Sequence, residues 1–103
     1  MSLGNIDRLL AEKVMGYKVE DSKLTGGYWV FNENNNIIKF NPTECISDAF
    51  KIIDKIQEDG YAWSMQMVNL ENEVEVTIGT GYSSSKSIPF SISMATVRNY
   101  KLM

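Results

Sequence analysis

The chain has 103 residues, is 44% hydrophobic, 22% charged and 11% aromatic, and carries a formal net charge of −3. That length and balance describe one soluble domain, residues 1–103, whose single core holds little surplus stability. The negative sign excludes a coat for duplex nucleic acid or a binder of anionic membranes, and no apolar run nears the roughly 20 residues of a membrane span.

"NIDRLLAEKVMG" reads as the first helix. Ile6, Leu9, Leu10 and Val14 fall on one face at helical spacing. Asn5 suits its N-cap and Gly16 its C-terminal cap, with Arg8, Glu12 and Lys13 toward water. "YKVEDSKLTGG" reads mostly as loop, with a short extended piece at residues 17–19. "YWVFN" is a strand by composition. Tyr28 and Val30 point one way, Trp29 and Phe31 the other, so the pattern predicts cover on both faces. "ENNN" is a turn and "IIKF" the returning strand of a hairpin.

"NPTECISDAFKIIDKIQEDG" is the clearest helix. Its predicted stripe is Ile46, Ala49, Phe50, Ile53 and Ile56, with Ile52 at the margin. Thr43 or Ser47 suits the cap and Gly60 the end, while Asp48, Lys51, Asp54, Lys55 and Glu58 form the wet face. "YAWSMQMVN" alternates, placing Tyr61, Trp63, Met65 and Met67 together, packed against Phe50 and Ile53 of that helix. Leu70, Glu71 and Asn72 form a tight turn. "EVEVTIG" then alternates with Val74, Val76 and Ile78 inward, which completes a second hairpin. The last segment fits two patterns. "IPFSISM" alternates like a strand, yet Phe90, Met94, Val97 and Lys101 form a helical stripe and Pro89 suits a first turn.

Between the second hairpin and that segment lies "GTGYSSSKS", with the residue types of a phosphate loop. A P-loop reads G-x-x-x-x-G-K-[ST], and its second glycine lets backbone N–H groups close around phosphate. Here Ser85 precedes Lys86-Ser87 and Thr80 holds the first glycine's place. The preceding strand belongs to an antiparallel hairpin, whereas a P-loop ends a buried parallel strand. The stretch therefore reads as a flexible surface connection. The remaining functional reading is an anion site built from Lys86, serine hydroxyls and a helix N-terminus.

The chain has no histidine, so the commonest general base and metal ligand is missing. A lone cysteine, Cys45, excludes an internal disulfide and fits a reducing cytoplasm, and no signal-peptide pattern opens the chain. Cys45 as a nucleophile would need a lysine or carboxylate as its base. Asp48, Asp54, Glu58 and Asp59 line one helix rather than facing across a cleft, and "NENNN" lacks the acidic spacing of a calcium loop. The aromatic residues Tyr28, Trp29, Phe31, Tyr61, Trp63 and Tyr82 belong mostly to the core; any left exposed mark a partner subunit or a stacked ligand.

In order, "AEKVMGYK", "FNPTECISDAFKIIDKI", a tryptophan-bearing hairpin and "PFSISMATV" make the chain resemble the phage ABA-sandwich domain family over nearly its whole length. The polar insert at residues 32–36 and "GYSSSKS" depart from the family's pattern, so loop-borne function transfers least. The resemblance implies an α+β fold, an antiparallel sheet of about four strands layered with three helices in α-β-β-α-β-β-α order. It favours helix for the last segment. It carries over no activity, catalytic residue or cofactor, and implies a phage or prophage setting. The expected function is therefore non-catalytic, through self-association as a homo-oligomer or binding of a host protein. The alternative is a sponge for a small nucleotide signal, with Trp29 and Tyr82 for stacking and Lys86 and Arg98 for charge. A small hydrolase using Cys45 or Ser-Lys chemistry ranks last.

Overall fold

A computed structural model describes residues 3–24, 26–68 and 72–103. It contains α1 (Leu3–Lys13), β1 (Lys18–Asp21), β2 (Tyr28–Phe31), β3 (Ile37–Ile38), α2 (Ile46–Glu58), β4 (Trp63–Val68), β5 (Glu73–Ile78), β6 (Gly81–Ser85) and α3 (Ile88–Asn99). The α+β class and the third helix stand as the resemblance implies, and the first two helices and both hairpins as the residue pattern predicts. Two strands exceed the expected four, one from each stretch expected to be loop. β1 joins the first hairpin and β6 the second, which makes two three-stranded antiparallel sheets of order β1-β2-β3 and β4-β5-β6. Leu70 and Glu71 of the predicted tight turn lie outside the described residues.

The last segment is a helix, and its burial explains its ambiguous pattern. Every residue from 91 to 97 is buried, so α3 has no wet face to impose an amphipathic stripe. Ser87 caps it by accepting the Phe90 N–H at 3.2 Å, and the proline sits in the first turn. β5 and β6 pack on α3 from one side, and α1 and α2 contact it as well. The core follows from this: Val74, Val76 and Ile78 from the sheet, Ile92, Ala95 and Val97 from α3, Leu10 and Ala11 from α1, and Ile52, Ile53 and Ile56 from α2. Burying these side chains supplies most of the folding drive, at roughly 25 cal/mol per Å² of apolar surface.

α2 sits rotated from the predicted stripe. Ile52 is fully buried and Ile46 half exposed, while Asp48, expected on the wet face, is buried. The reason is local: Asp48 Oδ2 accepts the Asn41 N–H at 2.9 Å, so its carboxylate turns inward at the helix start. Lys51 Nζ lies 3.4 Å from the other oxygen. Neither predicted side-chain cap operates at α2. Cys45 holds the N-cap position without a side-chain bond, and Thr43 is turned to α1 instead. Asn5 lies inside α1 rather than at its cap. Tyr61 N–H reaches back to the Ile56 carbonyl at 3.0 Å around Gly60, the predicted stop.

Candidate functional site

β2 buries Val30 against the core and turns Trp29 and Phe31 to its other face. The register places Ile37 opposite Phe31, and Glu20 and Lys18 of β1 opposite Trp29 and Phe31. Trp29 is 47% exposed and Ile37 60%. The expected cover on both faces of this strand is therefore absent within one protomer. On this outer face Lys18 reaches over Phe31, its Nζ 5.7 Å from the ring centroid and 2.8 Å from Glu20 Oε1, while Trp29 and Ile37 stay exposed. Beside Trp29 a groove of about 500 Å³ runs along the strand edges, lined in part by Tyr28, Ile38, Lys39 and Phe40.

The second sheet is different. Its outer face is polar and internally bonded. The Tyr82 hydroxyl donates to Glu75 Oε1 at 2.9 Å, Gln66 Nε2 to Glu75 Oε2 at 2.8 Å, and Ser84 Oγ to Glu73 Oε2 at 3.2 Å. The two donors hold the Glu75 carboxyl below its usual range, and the bond to Glu75 raises the Tyr82 hydroxyl.

Of the four residues expected to hold a nucleotide, two meet. Arg98 Nη1 donates to the Tyr82 carbonyl at 2.6 Å, which joins the end of α3 to β6. Lys86 is exposed just beyond β6. Trp29 stands on the other sheet, and neither Tyr82, Lys86 nor Arg98 lines its groove. The serines of "YSSSKS" do not form a flexible connection or an open anion cradle. Ser83 is buried on the α3 side, Ser85 Oγ bonds Ser91 Oγ and the Ser87 carbonyl, and Ser91 Oγ reaches the Val74 carbonyl at 3.3 Å. Ser83, Ser85 and Ser91 make the small-residue contact between β6 and α3, whereas Ser84 faces the outer side of the sheet. The two glycines ahead of them serve the same approach. Gly79 has φ +56° and a Cβ there would crowd the Asn99 amide, whose Oδ1 accepts the Thr80 N–H at 3.1 Å.

Cys45 is half-buried with its sulfur 3.2 Å from Ser47 Oγ. Asn32 Oδ1 accepts the N–H groups of Asn34 and Asn36, so "NENNN" is the predicted turn. Among the described residues no three cysteine or carboxylate side chains are grouped to hold a metal ion, and no helix is long and apolar enough to cross a membrane. One buried group escaped the sequence reading. Asp7 of α1 accepts the Thr43 N–H at 2.9 Å and the Thr43 hydroxyl at 3.1 Å, while burial raises its carboxyl above the usual range. An aspartate at the edge of an apolar stripe gives no sequence signal for that role.

Comparison with known proteins agrees with the architecture. The family model described as the phage ABA sandwich domain matches residues 8–97. A solved structure described as a phage protein from Bacillus cereus ATCC 14579 superposes with a TM-score of 0.66. It shares 17% sequence identity, over 96% of this chain and 92% of that one, a likeness of fold. No curated protein matches the sequence.

Proposed function

The chain belongs to the phage ABA sandwich domain family, and on that footing we propose that it is a non-catalytic binding protein of the phage-infected cytoplasm, working as a homo-oligomer. The observation that carries this reading is the uncovered outer face of β2 and β3. Trp29, Phe31 and Ile37 form a contiguous apolar and aromatic surface on a rigid strand pair, where a folded protomer gains nothing by exposing them. The chain's lack of histidine and the outward aim of Asp54 and Glu58 on α2 support a contact role over a chemical one.

Association linked to folding raises the melting temperature with protein concentration. The melting temperature is expected to climb between about 1 and about 100 μM protein. A midpoint independent of concentration contradicts the homo-oligomer.

A second reading is favoured by the groove beside Trp29. An exposed indole with Lys39 in the same wall suits a flat anionic ligand such as a small nucleotide. Cyclic and linear nucleotides at millimolar concentration would then raise the melting temperature of the parent and not of Trp29→Ser. No shift with any of them removes this reading.

A further inference from the structure

Three of the four sheet edges are protected. β1 carries Lys18, Glu20 and Asp21; β3 is two residues long; β6 lies against α3 with its Tyr82 carbonyl taken by Arg98. β4 is different. It is an edge strand of six residues, Trp-Ser-Met-Gln-Met-Val, without charge, proline or glycine. Trp63, Met65 and Met67 lie opposite Ile78, Val76 and Val74, on the side of the sheet that α3 occupies. There Val74 and Val76 are covered and Trp63 meets the Phe50 ring edge-on at 6.4 Å. Met65 and Met67, expected against Phe50 and Ile53, are instead 37% and 62% exposed.

We propose that β4 pairs antiparallel with β4 of a second copy of this chain, about a two-fold axis, to join two three-stranded sheets into one of six strands. This rests on the self-association proposed above and goes beyond it, because it assigns a contact surface apart from the outer face of β2 and β3. Only one edge of β4 is bonded to β5, so the other offers a row of backbone donors and acceptors. Pairing about an axis normal to the sheet keeps each face on its own side, so odd-numbered residues meet odd-numbered ones. Trp63, Met65 and Met67 of one copy then face the same set on the other in reversed order, and Ser64, Gln66 and Val68 do likewise. No charge on β4 meets its like, although the chain carries a net −3 and the neighbouring strand bears Glu73 and Glu75. A second copy of this uncharged strand therefore meets no like-charge repulsion along the seam, and this is the ground on which a second copy is the occupant proposed.

The test combines light scattering on the parent, Met67→Lys and Ser64→Lys with amide hydrogen exchange on the parent. Both positions are exposed, so neither change opens the core, and far-UV dichroism confirms the fold. The expected result is a parent dimer, at least about tenfold weaker dimerisation in both variants, and β4 amides that gain protection as concentration rises. A parent dimer with unprotected β4 amides, or one that both folded variants retain, overturns the β4 interface and leaves self-association standing. A monomeric parent overturns both. Should a variant fail to fold, the exchange measurement on the parent decides alone.

Discussion

Gly81 of β6 meets α3 backbone to backbone: a Cβ built on it would overlap the Ala95 carbonyl oxygen and come within 2.5 Å of the Asn99 nitrogen. No rotamer change relieves that overlap, because both obstacles are main-chain atoms. Gly81→Ala must push β6 off the helix that forms the middle of the core. The expected cost is about 3 kcal/mol, the upper end for overpacking, out of a total of about 5–15 kcal/mol for a domain. Urea denaturation measures it, and a loss under about 1 kcal/mol would contradict the close approach.

Asp7 and Thr43 predict a pH signature. Burial raises the Asp7 carboxyl above its usual value of 3.8 despite the two bonds from Thr43. The folded protein therefore holds that proton more tightly than the unfolded chain. The contribution is fully present below the unfolded value and is lost as pH rises through the folded one. Asp7→Asn removes this titration while keeping an acceptor for Thr43. The stability of the parent relative to Asp7→Asn should fall as pH is raised from about 4 toward neutrality. Denaturation curves at several pH values check it; a difference that grows with pH has the wrong sign. Asp7→Ala strands the Thr43 N–H and hydroxyl and should cost about 1–3 kcal/mol.

Tyr100 ties the ends of the two later helices together. Its hydroxyl donates to Asp59 Oδ2 at 2.7 Å and its ring meets Tyr61 at 5.3 Å. Burial, then the bond to Asp59, pushes the phenol well above its ordinary value. Tyr100→Phe keeps the ring contact and loses the bond, for about 1 kcal/mol. An unchanged denaturation midpoint would show the hydroxyl idle.

The two tryptophans should behave oppositely. Trp63 is half-buried against Phe50, so Trp63→Ala should cost about 2 kcal/mol, less than the roughly 3–5 kcal/mol of a full core position. Trp29 is 47% exposed in the protomer, so at concentrations low enough to keep the protein dissociated Trp29→Ser should stay within about 0.5 kcal/mol of the parent. A Trp29→Ser variant as damaged as Trp63→Ala would make Trp29 structural and remove the contact surface.

The sequence made legible whatever alternated against a single core. The second hairpin and its inward set Val74, Val76 and Ile78 follow from period two, while the strand at Tyr28–Phe31 follows from its β-branched and aromatic composition and the first hairpin from the asparagine turn after it. What it hid has physical causes. β6 is written in glycine and serine because it lies flat on a helix, and that composition reads as a loop. α3 is buried on all sides, which erases the stripe. The rotation of α2 turned on Asp48 bonding the Asn41 N–H, a side-chain bond at the helix start that the hydrophobic pattern, which cannot choose between Ile46 and Ile52, does not record. The separation of Trp29 from Tyr82, Lys86 and Arg98 required knowing that there are two sheets.

Sedimentation velocity of the unmodified protein tests the central claim most directly. A protein that works through its uncovered strands should sediment, across about 1–100 μM, as a species of at least twice the 11.7 kDa protomer, growing more populated with concentration. A single 11.7 kDa species at every concentration would contradict the account.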